Sequence, residues 1–313
     1  MQALITGGAG FIGSHIAHSL LKKGHSVAIL DNFSSGRREN LTVLEGVEVV
    51  EGDVRDFELV SRVVQRADSV FHLAAVVSVL TSLEDPQTTW EVNLKGTYHV
   101  LEAARRAKIR RVVFISSSAV YGEYPRLPFK ESVPLLPESP YALTKLMGEE
   151  LCSLYWRLYK LETVALRLFN VYGPRQNPFS QYANAIPNFT RRLLTGEMPT
   201  IYGNGNQTRD FVYVGDVVRA AELAARSKKA VGWVFNVGSG KRLSVNRLFA
   251  EIQKTLGTHA RPQFSPRKQG DVLHTWADLA RAKKVLGFLP KANFSKALSE
   301  TVLWFKNSGI FSK

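Results

Sequence analysis

Short apolar runs and longer stretches of helical period alternate along the first 170 residues. Positions 2–5, 26–30, 47–51, 69–73, 111–116 and 162–169 are rich in Val, Ile, Leu and Phe and predict strands. Between them, apolar residues recur at helical spacing over 11–23, 56–66, 86–107 and 140–160, which predicts helices. Strands that are apolar at nearly every position are covered on both faces, and their alternation with helices predicts parallel pairing. Right-handed crossovers then give an α/β fold with a doubly wound parallel sheet. After about residue 170, Pro174, Pro178, Pro187 and Pro199 and the run Tyr202-Gly203-Asn204-Gly205-Asn206 break the pattern. Helical period returns at 214–225, 245–256, 278–286 and 294–307, and 234–237 reads as one more strand. We therefore expect residues 1–170 to form the sheet domain, with later returns of the chain to its sheet. Residues 171–313 form a smaller α/β region on the C-terminal edge of the strands.

The 313 residues are 45% hydrophobic and 22% charged, which is sufficient to bury the core of one large or two smaller domains. No apolar stretch is long enough to predict a membrane span. The first residues lead straight into a buried strand, so no signal peptide and a cytoplasmic location are expected. Cys152 is the only cysteine, which leaves no intrachain disulfide and no cysteine-based metal site; no metal is expected. The formal net charge of +14 raises the question of nucleic acid. The basic residues are scattered in pairs such as Arg105-Arg106, Arg110-Arg111 and Lys228-Lys229, mostly near predicted helix ends, where they complement the dipole. No nucleic-acid motif accompanies them, so the charge predicts a surface biased toward small anions.

Residues 6–14 read Thr-Gly-Gly-Ala-Gly-Phe-Ile-Gly-Ser, directly after the first strand and at the start of a helix. Gly7, Gly10 and Gly13 allow a tight turn, close approach to a pyrophosphate and close packing of helix on strand, as in a Rossmann nucleotide site. A Walker-type loop would need Lys before Ser14, where Gly13 stands. Asp31 ends the second strand. A carboxylate there accepts bonds from the adenosine ribose and repels a 2′-phosphate, so NAD is favoured over NADP. Arg37 and Arg38 are expected on a solvated loop. Asp53 and Val54, after the third strand, are placed to meet the adenine. Leu73, Ala74 and Ala75, after the fourth, lie beside the cofactor, with His72 as a packed strand residue.

Ser139 is a good helix N-cap and Pro140 suits the first turn. The helix that follows carries Tyr141 and Lys145 one turn apart on one face. A lysine ammonium beside a phenol favours the phenolate, so this spacing predicts a tyrosine base with a lowered pKa.

Taken together, the sequence resembles the extended short-chain dehydrogenase/reductase family. Within that family it is similar to the nucleotide-sugar epimerases, closest to those that act at C4 of UDP-glucose and UDP-galactose. The resemblance spans nearly the whole chain: TGGAGFIGS at 6–14, DNFSSG at 31–36, GDVRD at 52–56, HLAA at 72–75, NLKGT at 93–97, SSSAVYG at 116–122, YALTK at 141–145, RLFNVYGPRQ at 167–176, YGNGNQTRDFVYVGDV at 202–217 and PRKQGDV at 266–272. It implies enzyme-bound NAD held by Gly7, Gly10, Phe11, Ile12, Gly13, Asp31, Asn32, Ser35, Gly36, Asp53, Val54, Leu73, Ala74, Ala75, Asn93, Ser116, Tyr141 and Lys145. It implies Tyr141 as the acid–base at the sugar O4 and Lys145 as the holder of the nicotinamide ribose. A serine of 116–118 would bond the same O4; Ser117 is preferred, with Ser118 second. Asn170 and Arg209 would meet the diphosphate of a UDP-sugar. Asp271 would take a uridine ribose hydroxyl, and Lys268 stands where the family usually carries Arg. Thr275 is small where the family limits room for a 2-N-acetyl group, which implies tolerance of UDP-N-acetyl sugars.

The implied reaction is reversible 4-epimerisation of a UDP-hexose through a transient 4-keto sugar. A 4,6-dehydratase would carry Asp-Glu after the catalytic hydroxyl residue, where this chain has Ser118-Ala119. A UDP-glucuronate epimerase or decarboxylase is a further alternative within the family, and an NAD-binding regulatory protein one outside catalysis. The predicted helices at 86–107 and 140–160 carry Trp90, Leu94 and Tyr98 and Leu151, Leu154 and Leu158. Relatives pair these helices with their copies as a four-helix bundle, so a homodimer is expected.

Overall fold

Ala3, Leu4 and Ile5 of β1 (Gln2–Thr6) have no solvent exposure. Alternate side chains of this one strand feed two cores: Ala3 and Ile5 pack on one face of the sheet and Leu4 on the other. The computed structural model describes residues 1–179, 185–267 and 272–311. Its first half runs β1, α1 (Phe11–Lys22), β2 (Ser26–Asp31), β3 (Glu48–Glu51), α2 (Phe57–Val64), β4 (Ser69–His72), α3 (Val79–Glu84), α4 (Pro86–Trp90), α5 (Gly96–Arg106), β5 (Arg111–Ser117), α6 (Pro140–Tyr159) and β6 (Glu162–Leu168). The second half adds β7 (Asn170–Tyr172), α7 (Ala185–Leu194), β8 (Thr200–Tyr202), β9 (Thr208–Arg209), β10 (Phe211–Tyr213), α8 (Val214–Arg226), β11 (Val234–Val237), β12 (Leu243–Ser244), α9 (Val245–Leu256), β13 (Gln263–Ser265) and α10 (Phe294–Asn307).

Seven strands form one parallel sheet in the order β3-β2-β1-β4-β5-β6-β11. This is the doubly wound arrangement: the order reverses between β1 and β4, which opens a crevice at the C-terminal ends of those strands. The core on one face includes Ile16 and Leu20 of α1 and Val217 and Ala221 of α8. The core on the other includes Val60 of α2, Val100 and Leu101 of α5 and Cys152 and Tyr155 of α6. A third core lies between α7, α9 and α10, around Phe189, Leu248, Phe249 and Leu298. Two-stranded ladders (β7 with β10, β8 with β13, β9 with β12) tie that region to the rim of the sheet.

The structure changes the expected helix at 86–107. Residues Glu91–Lys95 form a single wide turn of π type between α4 and α5. Such a turn re-aims one side chain, here Asn93, inward. The expected helix at 278–286 shrinks to a similar turn at Ala282–Leu286. No helix among the described residues is long and apolar enough to cross a membrane, and none of their side chains form a metal-ligating cluster.

Candidate active site

A cavity of about 930 Å³ opens at the C-terminal ends of β1, β2, β4, β5 and β6. Its floor is the glycine turn. Gly7 has φ +71°, and a Cβ there would stand 2.7 Å from the Ala74 amide nitrogen. A Cβ on Gly13 would stand 2.3 Å from the Gly7 carbonyl oxygen, so helix and strand meet through backbone alone. Gly10 begins α1 without any side-chain cap, and Ser14 is the residue whose amide returns to the Gly10 carbonyl (3.1 Å). The first-turn amides of Phe11, Ile12 and Gly13 are thus left for an anion. Gly7, Gly10, Phe11, Ile12 and Gly13, with Leu73, Ala74 and Ala75, line the cavity.

Asp31 lies at the tip of β2 and is buried. One carboxylate oxygen accepts from the Ala9 amide (2.8 Å) and the other from the Phe33 amide (2.9 Å). Burial nevertheless pushes this carboxyl up from its ordinary value, so further donors would be welcome to its charged form. Asn32, Ser35, Gly36 and Val54 line the same end. Arg38 pairs with Glu51 and stacks over Phe33 at 4.1 Å, and Arg37 pairs with Glu39; both belong to the surface loop. Asp53 stands apart from the cavity wall. Its carboxylate takes two bonds from Arg55 (3.0 and 2.9 Å) and one from Asn32 (2.9 Å), which hold its pKa down at about 2. Arg55 lines the cavity in its place.

Asn93 is also not at the cavity surface. Its side chain grips both backbone groups of Val76 (2.7 and 3.0 Å) and donates to Thr144 on α6 (3.1 Å). It sets the turn after β4 against α6 and meets no open space. His72 has Thr6 and Thr97 hydroxyls at its two ring nitrogens (2.7 and 3.0 Å) and is buried in β4.

The corner with the predicted acid–base residues joins the end of β5 to the start of α6. Ser139 caps α6 by accepting from the Ala142 amide (3.1 Å), and the Tyr141 amide bonds Ser82 (3.1 Å). The three serines separate by what they touch. Ser116 donates to Glu149 (2.5 Å) and is buried. Ser117 caps the turn Ser118–Tyr121 by accepting from the Ala119 amide (3.1 Å), lines the cavity, and favours the ionised form of the Tyr141 phenol. Ser118 lines the cavity one residue on. Lys145 is buried; its Nζ donates to the Ile115 carbonyl (2.9 Å) and lies 5.9 Å from the Tyr141 ring.

One expectation is reversed at this corner. Burial pushes the Tyr141 phenol up from its ordinary value, with the neighbouring Ser117 opposing it, and Lys145 does not bring it down. The lysine is turned toward the strand, and burial lowers its own pKa to about 8. A lowered phenol therefore needs further positive charge in the cavity.

At the far end, Asn170, Arg209 and Thr275 line the cavity. The Thr275 hydroxyl reaches Asn170 Oδ1 (3.4 Å), and Arg209 donates to the Thr208 and Leu273 carbonyls (3.0 and 3.1 Å). Asp210, next to Arg209, instead receives Ser239, Gly240 and Ala277 and is fully buried. Lys268 and Asp271 lie outside the described residues. Gln176 and Asn177 also line this end; they close or follow the RLFNVYGPRQ run, but no spacing rule singles them out.

Residues 3–238 match the NAD dependent epimerase/dehydratase family. The UDP-glucose 4-epimerase of Mycolicibacterium smegmatis is 40% identical over 312 residues, 98% of this chain and 99% of that one. The UDP-N-acetylglucosamine 4-epimerase of Methanobrevibacter ruminantium M1, solved with UDP-N-acetylmuramic acid, is 40% identical with a TM-score of 0.94 and 98% coverage of each chain. The UDP-glucose 4-epimerase of Thermus thermophilus, solved with NAD, is 38% identical with a TM-score of 0.91, covering 98% of this chain and all of that one.

Proposed function

The chain belongs to the NAD dependent epimerase/dehydratase family, and from that premise we propose that it interconverts the C4 epimers of a UDP-hexose, UDP-glucose and UDP-galactose. NAD is its cofactor, and the cavity fits it: a glycine turn packed too closely for any Cβ, an uncapped helix N-terminus for the pyrophosphate and Asp31 at the ribose end. Bound there, NAD would supply a hydride acceptor for C4 and, once reduced, the donor for the hydride's return.

The chain's own residues handle the proton. Tyr141 as phenolate takes the 4-hydroxyl proton and gives it back after the sugar turns over. Ser117 bonds the same O4 and holds it toward the phenol. Lys145 would hold the nicotinamide ribose and adds positive charge near the phenolate. Asn170 and Arg209 would hold the diphosphate, the arginine through parallel bonds. The observation that carries the reading is that Ser117, Tyr141 and Lys145 line the same cavity as the glycine turn at one end and Asn170 and Arg209 at the other. A 4,6-dehydratase finds no carboxylate after Ser117, since Ser118-Ala119 follows.

Thr275 is small and already bonded to Asn170, which leaves room beside it for a 2-N-acetyl group. UDP-N-acetylglucosamine should therefore turn over comparably with UDP-glucose. Purified protein incubated with UDP-galactose is expected to yield UDP-glucose without added oxidant. Tyr141→Phe should lower kcat about a thousandfold while NAD stays bound. Full activity in that variant, or a 4-keto-6-deoxy product from the native chain, refutes the assignment.

A further inference from the structure

We infer that the buried pair Glu149–Arg167 sets the charge of Lys145, which makes Glu149 a positioning residue for the acid–base step; this rests on the reading of Tyr141 and Lys145 given above. Lys145 and Glu149 stand one turn apart on α6, and both are almost wholly buried. Two adjacent residues of β5 fix that turn: the Ile115 carbonyl receives Lys145 (2.9 Å) and the Ser116 hydroxyl donates to Glu149 (2.5 Å). The glycine between them on α6, Gly148, lets Phe114 fit beneath; a Cβ there would stand 2.4 Å from its ring.

Arg167 of β6 completes the cluster. Its Nε and Nη2 fork onto the Glu149 carboxylate (2.9, 3.2 and 2.7 Å), and Nη1 donates to the Tyr121 hydroxyl (2.9 Å). The region thus holds two cations and one carboxylate out of reach of water. Glu149 is paired directly with Arg167, and its charge acts on Lys145 through space from one helical turn away, which helps the lysine keep its proton despite burial. The Glu149 charge raises the Lys145 pKa against the larger effect of burial.

Few other charges face Lys145. On its own helix stands Tyr141, a neutral phenol in the buried site. From β4 comes His72, kept neutral by burial that pushes its pKa down to about 3. The turn Ser118–Tyr121 contributes Tyr121, pushed up to about 12. Glu84 of α3, Asp85 before α4 and Glu91 and Lys95 of the wide turn lie toward the surface. Glu102, Arg105 and Arg106 of α5 pair among themselves, and Glu162 of β6 pairs with Arg111. Asp31, Arg55, Glu138 and Arg209 lie on the cavity wall.

The two members of the pair therefore act on Lys145 in opposite directions. Glu149→Gln leaves two cations together, so Lys145 loses its proton at lower pH. Arg167→Gln leaves the carboxylate to Lys145 alone, so the ammonium persists to higher pH. The experiment is the pH profile of kcat, which reports the substrate complex. The basic limb should move down by about one pH unit in Glu149→Gln and up in Arg167→Gln, and Arg167→Lys should keep its native position. Thermal melting and NAD content confirm that each variant is folded. Should Glu149→Gln fail to fold, the two Arg167 variants carry the test. A basic limb that stays fixed, or moves the same way in Glu149→Gln and Arg167→Gln, overturns the inference. Retained activity in Tyr141→Phe instead removes the reading beneath it.

Discussion

His72 shows how one side chain serves the site without entering it. Both ring nitrogens are engaged by threonine hydroxyls, and burial holds its pKa at about 3, against an ordinary value of 6.5. Between those two values the unfolded chain binds a proton that the folded chain refuses. Stability therefore falls as pH drops from about 6.5 toward about 3, by up to about 1.4 kcal/mol per pH unit from this residue. His72→Asn should flatten the pH dependence of the urea midpoint in that window; an unchanged slope would show that other groups govern it. At this scale the sequence is readable where chemistry depends on spacing, as for Tyr141 and Lys145 one helical turn apart, and for the glycines at 7, 10 and 13. It is not readable where the outcome depends on which way a side chain turns. Spacing alone does not show that Lys145 faces the Ile115 carbonyl, nor that Arg55 takes the Asp53 carboxylate and fills the cavity wall itself.

Elements meet at the site through Asn93. The wide turn Glu91–Lys95 delivers its amide to Val76 and Thr144, so one side chain spans the loop after β4 and the helix that carries Tyr141. Asn93→Ala removes the partner of the half-buried Val76 amide and carbonyl, at a cost of about 1 kcal/mol. It should also lower kcat, because α6 loses a fixed distance from the cavity floor. A thermal melt and steady-state kinetics check both; a stable variant with native kcat contradicts this role. The strands of the first half are legible because continuous apolar runs mark a sheet covered on both faces. The break in the helix at 91–95 is not, since a π-type turn keeps the helical period on either side and is made by a tertiary bond. The helix Ala185–Leu194 escapes the pattern for a related reason: Pro187 reads as a breaker, yet it lies in the first turn, where proline is tolerated.

At the scale of the whole molecule, the apolar side chains exposed on three helices matter. Trp90, Tyr98, Leu143, Leu154 and Leu158 are exposed along α4, α5 and α6, on the side turned away from the sheet. Such a surface suits a second copy of the chain, with α5 and α6 and their twins forming a four-helix bundle. Light scattering at micromolar concentration should give twice the chain mass, and Leu158→Asp should return it toward the monomer; a monomeric native chain ends the idea. The sequence marks those positions as apolar but does not say which are buried: Leu94 of the wide turn and Leu151 of α6 are equally apolar, yet half covered.

The strand Val234–Val237 zips in beside β6 only after the polypeptide has travelled through β7 to α8. Severed near residue 170, the first half would present β6 as a bare rim of unpaired peptide groups, an invitation to stick to its neighbours. The two halves of the cleft are therefore stitched together rather than joined end to end, and neither can be swapped like a cassette without unpicking the other.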